Sequence, residues 1–319
     1  MTRILTALGH NLGLLAVWGL VGFSVPAGAL AGGFAVLKSA SIENYNDAVV
    51  AFRTSCTDAK KEFDLQDKVE NGEAAAAEIK AMNPSAVFVV GIKAAMAAKK
   101  YLDASTPLVY AVVLDPEKYG LQGANVTGVL MDIPVKTELA AIKGIFPQIR
   151  KLGSLYNPKK TQSTIDAARK EAAGVGIELV TAKVEDPADT VYSLKSFANG
   201  IDALWLIADP TVVNKESIHT VLTYSFENRI PVFAFHKKFV QAGVLLSLSP
   251  SYEKMGAQAC DLAKKIAGGT AVSALPPEPP RNLEIAVNVK TARSLNLQDI
   301  SMNAFGFAAS QGYKIEALQ

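Results

Sequence analysis

From residue 34 onward, short apolar runs alternate with stretches whose apolar positions recur every three or four residues. The first pattern predicts buried strands and the second predicts amphipathic helices. Strands are predicted at 34–38, 63–65, 86–90, 107–114 and 126–131, with helices at 47–61, 72–82 and 92–102 between them. Continuous apolar strands such as AVFVV at 86–90, each followed by a helix, argue for a parallel sheet covered on both faces. No helix fits between 114 and 126. Asp115-Pro116 stops one strand and a glycine-rich turn leads straight into the next. After Pro134 the rhythm starts again. A helix runs to Phe146, then strands at 152–156, 177–181, 203–208 and 231–235 alternate with helices at 163–173, 188–198 and 215–227. The two sets match in spacing but not in residue identity. They predict an α/β protein of two Rossmann-like lobes with a central cleft, and residues 132–134 as the first hinge crossing.

Further on, a strand at 244–248 precedes a long helix at 253–267. A proline-rich link at 274–280, a strand at 283–289 and a helical turn at 291–295 follow. Each return carries the chain across the cleft again. Lobe 1 is therefore assigned 32–132 and 249–280, and lobe 2 is assigned 133–248 and 281–297. Residues 298–319 show no clear periodicity and are left as a C-terminal tail.

The first 31 residues stand apart. Arg3 is their only charge, the run 12–25 is almost wholly apolar, and Ala29-Leu30-Ala31 places small residues before a cut after Ala31. This is the layout of a secretory signal peptide. The apolar run is short for a membrane span, which needs roughly 20 residues. No cysteine stands near the cut to take a lipid. The expected location is the periplasm. Export permits a disulfide. Cys56 and Cys260 both fall on inward-facing helical positions, so they read either as two buried thiols or as a bridge between two helices packed side by side.

Composition narrows the function by exclusion. Of 319 residues, half are apolar and 19% are charged, and the formal charge is +2. No basic block rich in aromatics suggests nucleic acid. Three histidines and two cysteines do not build a dense metal cluster. No G-x-G-x-x-G follows the first strand, and there is no Walker loop, G-x-S-x-G elbow or calcium-binding spacing. No cofactor is expected. A secreted α/β enzyme would need a nucleophile–base pair, which the residues do not supply.

Polar groups gather instead at the predicted C-terminal strand ends, where α/β proteins place ligands. The candidate ligand-binding residues are Ser39, Ser41 and Tyr45 after the first strand, Asp115 later in lobe 1, and Tyr156, Asn157, Thr161, Asp209, Thr211, His236 and Phe239 in lobe 2. Asp115 or Asp209 could accept from an ammonium, helix N-termini could hold a carboxylate, and aromatics such as Tyr252 could sandwich an apolar body. Taken singly, each serine or threonine also reads as a helix cap, and each Asp-Pro as a turn.

The stretch PLVYAVVLDPEKYGLQGANVTGVLMDIP, then LGSLYNP, ADPTVV, IPVFAFHKKFVQAGVLLSLSPSYEKMGAQACDLAKKIAGG and LEIAVNVKTARSLNL, resembles the ABC-transporter substrate-binding family that includes tryptophan- and tyrosine-binding proteins. The resemblance spans residues 34–297. It implies a type I periplasmic-binding fold with three hinge crossings and a small-molecule solute held between the lobes. It also implies partnership with an ABC permease in the inner membrane and its ATPase, and no catalysis; a monomer is expected. An aromatic or other amino acid leads the ligand classes. A binding protein of the same fold serving a sensor is the alternative. Two features depart from the family's pattern: Asp115 stands in VLDP without the usual preceding glycine, and His236-Lys237-Lys238 makes a basic approach to the cleft. The basic run favours a less basic ligand, or one with an extra carboxylate.

Overall fold

The computed structural model describes residues 32–318 apart from Asn199 and Gln298. The expected signal peptide lies outside the described residues. Within them, no helix is long and apolar enough to cross a membrane.

Lobe 1 opens with β1 (Phe34–Lys38), α1 (Glu43–Ser55), β2 (Ala59–Asp64), α2 (Gly72–Met82), β3 (Ala86–Val90), α3 (Ile92–Tyr101), β4 (Leu108–Ala111) and β5 (Val126–Gly128). Its sheet has the order β2-β1-β3-β4-β5 and is parallel throughout. Every residue of β1, β3 and β4 is buried, as expected of strands covered on both faces. The edge strand β2, AKKEFD, carries charge on its open positions, which blocks pairing with another chain. The sequence pattern extends a helix to residue 61, but α1 stops at Ser55 and residues 59–64 join the sheet.

Lobe 2 continues with α4 (Val135–Ile145), β6 (Lys151–Tyr156), α5 (Pro158–Ala172), β7 (Glu178–Lys183), α6 (Thr190–Lys195), β8 (Ala203–Trp205), α7 (Lys215–Asn228), β9 (Val232–Ala234), α8 (Lys237–Gln241) and β10 (Leu246–Pro250). Its strands run β7-β6-β8-β9-β10, repeating the 2-1-3-4-5 order of lobe 1. The chain then returns to lobe 1 for α9 (Tyr252–Ala267), and comes back as β11 (Leu283–Asn288), antiparallel to β10, and α10 (Val289–Ser294).

The tail is structured. α11 (Asp299–Gln311) places Ile300, Ala304 and Ala308 in the lobe 2 core, and β12 (Lys314–Leu318) extends the sheet beside β11. Its pattern is faint because α11 is apolar on several sides, with Met302 and Phe305 exposed, and because β12 is an exposed edge strand.

Each sheet has two apolar faces. In lobe 1, α1 and α9 cover one face through Val49, Phe52, Met255 and Ala259, while α2 and α3 cover the other through Ile79, Ala94 and Ala98. Phe52 stacks on Phe88 with ring centroids 4.2 Å apart. Contact between α1 and α9 is close enough that a Cβ on Gly256 would lie 2.0 Å from the Ala48 carbonyl oxygen. Beside it Cys56 and Cys260 form a disulfide with a Cα separation of 5.7 Å. Of the two readings open from sequence, the bridge is the one realised.

Three segments join the lobes. They follow β5, β10 and the link from α9 to β11. The first and third lie side by side: Leu130 N donates to the Glu278 carbonyl, and Glu278 N to that of Gly128, both at 2.9 Å. Ser251 N, on the second, donates to the Asn282 carbonyl on the third at 3.1 Å. The connection is therefore a hydrogen-bonded band rather than three independent linkers.

Candidate functional site

A 2-1-3-4-5 sheet places its ligand crevice at the C-terminal strand ends, where the order reverses. Here both lobes turn those ends toward one cleft of about 710 Å³. Lobe 1 contributes Ile42, Asn44 and Tyr45 from the start of α1, Ile92 from the start of α3, and Val112 and Leu114 from the segment after β4. Met131, Asp132, Ile133, Pro134 and Pro250 come from the hinge band, with Tyr252 at the start of α9. Lobe 2 supplies Glu138 from the first turn of α4, Thr161, Ser163 and Thr164 from α5, Trp205 and Ile207 around the end of β8, and Phe235 and His236 after β9.

Local backbone explains several of these placements. Gly91, at φ +85°, ends β3, and a Cβ there would come within 2.6 Å of both Ser39 Oγ and the Tyr45 ring. Only glycine lets Tyr45 lie over the start of α3. Val112 takes φ +57°, a strained value for a β-branched residue, and this ends β4 at Ala111 and turns Val112 and Leu114 toward the cleft. In α5, Thr161 leaves helical geometry at φ −131°.

Three of the eleven residues singled out from sequence line the cleft: Tyr45, Thr161 and His236. The others lie elsewhere. Buried Ser39 donates to the Val90 carbonyl at 3.0 Å and accepts from Ala94 N at 2.9 Å, tying β1 to α3. Ser41 is exposed and donates to Asp64. Asp115, at φ +47°, pairs with Lys118 on the surface. Tyr156 is fully buried in the lobe 2 core, and Phe239 packs on Phe235.

Asn157, Asp209 and Thr211 form one internal knot. Asp209, 0% exposed, accepts from Asn157 N at 2.6 Å, from Thr211 N at 2.8 Å and from the Thr161 hydroxyl. Asn157 Nδ2 donates to Thr211 Oγ1 at 3.0 Å. The Asp209 carboxylate holds strand ends together, and Thr161 is the one member that reaches the cleft.

The carboxyls that do line the cleft are Asp132 and Glu138. Trp205 Nε1–H donates to Glu138 Oε2 at 2.9 Å. Burial pushes the Glu138 carboxyl up to about 8, against the lowering effect of that hydrogen bond and with the Asp132 charge adding to it. Partial burial raises Asp132 as well, with the Asp115 charge contributing. Among the described residues, no lysine or arginine lines the cleft. Lys237 instead lies 3.9 Å from Glu316. The basic run after β9 thus brings only His236 to the cleft, and the expectation of a less basic ligand or one with an extra carboxylate loses its support. His236 is held below its ordinary value by burial and then by Lys238 and Lys237. Its Nδ1 accepts from Lys238 N at 3.1 Å, so the neutral ring carries its proton on Nε2, 3.5 Å from the Tyr252 hydroxyl. That contact joins a lobe 2 loop to a lobe 1 helix.

Sequence reasoning missed Glu138 and Trp205 as site residues. An acidic residue in a first helical turn reads as matched to the helix dipole, and a tryptophan within ALWLIA reads as core. The available signal was Glu138's position four residues after the hinge proline.

The family described as ABC transporter substrate binding protein matches residues 37–304. A tyrosine-binding protein of Clostridioides difficile (strain R20291) is 27% identical over 212 residues, covering 64% of this chain and 61% of that relative. This chain therefore spans less than two thirds of that relative's length. In fold, it is similar to the ligand-free, open structure of a substrate-binding protein with adhesive properties from Clostridium difficile (TM-score 0.70, 20% identity, 90% of this chain and 99% of that one). It is also similar to a Streptococcus pneumonia ABC domain in complex with L-Trp (TM-score 0.53, 17% identity, 89% and 100%). With the family match spanning both lobes and the hinge band, the chain belongs to the ABC transporter substrate-binding proteins, a non-catalytic solute-binding family with a two-lobed periplasmic-binding fold.

Proposed function

We propose that this protein is the extracytoplasmic solute-binding component of an ABC importer, holding a small solute with an amino group and an aromatic or other apolar body between its lobes. The observation that carries this reading is the cleft itself: a two-lobed enclosure of about 710 Å³ whose walls combine Tyr45, Trp205, Phe235 and Tyr252 with the carboxyls of Asp132 and Glu138. A cavity of this size that is mostly apolar with a few polar groups suits a small organic solute. Aromatic faces take a flat apolar body and the carboxyls take an ammonium. The tyrosine-binding relative and the L-Trp complex favour the same ligand class.

The mechanism involves no bond chemistry. In the open form the cleft is wet. A solute touching both lobes stabilises the closed arrangement by the difference between its contacts in the two states. The hydrogen-bonded hinge band guides that motion. The closed protein then presents its lobe surfaces to a permease, which a separate ATPase drives. The test uses the chain without residues 1–31, unfolded to release carried-over ligand and refolded with its disulfide intact. Titration with aromatic amino acids and amines is expected to give saturable binding together with a shorter interlobe distance. Absence of both binding and closure across a broad solute screen overturns the reading.

A further inference from the structure

The charge of the cleft narrows the ligand further, resting on the solute-binding reading above. Its two carboxyls, Asp132 and Glu138, have no lysine or arginine partner among the described residues. Glu138 Oε1 makes no hydrogen bond to the described residues, while Oε2 is occupied by Trp205. Among the described residues the lobe 1 wall has no charged side chain lining the cleft; it offers the N-terminus of α1, which carries Glu43 in its first turn, and that of α3, where Ser39 Oγ already accepts from Ala94 N. Each N-terminus is equivalent to about half a positive charge. Together they bring at most about one unit, and with Glu43 and Ser39 already on them little of it is left for a ligand carboxylate. The N-terminus of α4 is already matched by Glu138 in its own first turn. His236 is biased to its neutral form.

We propose that the cleft selects a solute of net positive charge, an amine with an aromatic body and no carboxylate, in preference to the zwitterionic amino acid with the same side chain. The ammonium sits against Glu138 Oε1 with Asp132 nearby. Trp205 is a positioning residue: its N–H fixes the carboxylate plane and leaves one oxygen directed at the ligand. The faces of Trp205, Tyr45 and Tyr252 add attraction for a cation that no zwitterion could exploit as fully. Among the described residues a ligand carboxylate has no side-chain cation to meet in this cleft, whereas an ammonium favours the ionised form of Glu138 that burial by itself disfavours.

Calorimetric titration of the refolded protein with three pairs tests this: tyramine against tyrosine, tryptamine against tryptophan, and phenethylamine against phenylalanine. At least one amine is expected to bind about tenfold or more tighter than its parent, the scale of one charge-assisted contact. Glu138→Gln is expected to abolish that preference, and Asp132→Asn to reduce it. Both substitutions are close to isosteric, and circular dichroism and melting confirm folding. Equal or tighter binding of the parent amino acids, or an amine preference that survives Glu138→Gln, overturns the proposal. Closure on some other, non-amine solute also overturns it, while leaving the solute-binding function intact. Failure to bind or close on anything removes both.

Discussion

At the scale of single residues, Glu138 decides most. Its carboxyl is held at about 8, mainly by burial, whereas in an unfolded chain a glutamate titrates near ~4.3. Between those values the folded state binds the extra proton, so this group's contribution to stability falls as pH rises through the window. Asp132, also raised, acts with the same sign, whereas Asp64 and Glu278, both lowered, act with the opposite one. Comparing Glu138→Gln with the parent isolates Glu138. The variant is expected to melt higher than the parent at pH 8 by a margin that shrinks toward pH 5. A margin independent of pH would show that Glu138 is ionised throughout. Binding an ammonium requires the deprotonated carboxylate, so amine affinity is expected to rise with pH toward about 8. Near the group, burial and then Lys238 and Lys237 lower His236, burial raises the Tyr45 and Tyr252 hydroxyls, and Asp132 and Asp115 are the neighbouring acids. Trp205→Phe removes the N–H and keeps most of the apolar volume. It is expected to weaken amine binding severalfold and to move the pH dependence upward. Unchanged binding and pH profile would remove Trp205 from its positioning role. None of this was legible from local pattern, because Glu138 and Trp205 look ordinary in their own helix and strand.

Among the elements, the pairing of α1 with α9 carries a clear expectation. The two helices belong to chain segments about 200 residues apart and are joined by the disulfide. Opening a loop of that length is worth about 5 kcal/mol in chain entropy, as an upper figure. Changing Cys56 and Cys260 to alanine is expected to lower unfolding free energy by about 2–5 kcal/mol, read by denaturant melting. Gly256→Ala is expected to destabilise lobe 1 as well, because its Cβ meets backbone rather than a movable side chain. A variant as stable as the parent would mean that α9 sits further from Ala48. In lobe 2, deleting residues 299–319 removes Ile300, Ala304 and Ala308 from the core and leaves the outer edge of β11 unpaired, with β10 still on its other side. Loss of a cooperative lobe 2 transition is expected by calorimetry; retention would show that α11 and β12 are dispensable decoration.

For the whole molecule, the question is closure. Spin labels at Glu73 on α2 and Glu216 on α7, both exposed, report the interlobe distance. A bound solute is expected to shorten and narrow their distance distribution. An unchanged distribution with saturating ligand would mean that binding occurs without lobe movement. The hinge band constrains what closure can look like: the first and third segments are bonded to each other, so they bend together. Tyr252 and His236 already meet across the cleft at 3.5 Å, which places the free opening on the side away from that contact.

The repeat of strand and helix, the existence of two lobes and the position of the cleft are legible along the chain. Those follow from apolar periodicity and from turn residues, which act over a few positions. Also legible there are the strand-end loops that supply Tyr45, Thr161 and His236. Tertiary structure alone decided which polar groups face the ligand. Asp209, Asn157 and Thr211 sit at the right strand ends, yet their hydrogen bonds are satisfied by one another, and Asp115 is drawn to Lys118 at the surface. The bridge between Cys56 and Cys260 likewise depended on two distant helices meeting. So did the acidic character of the cleft, because which charges face one another is set by lobe packing, whereas local sequence sets only where each charge lies along its own element.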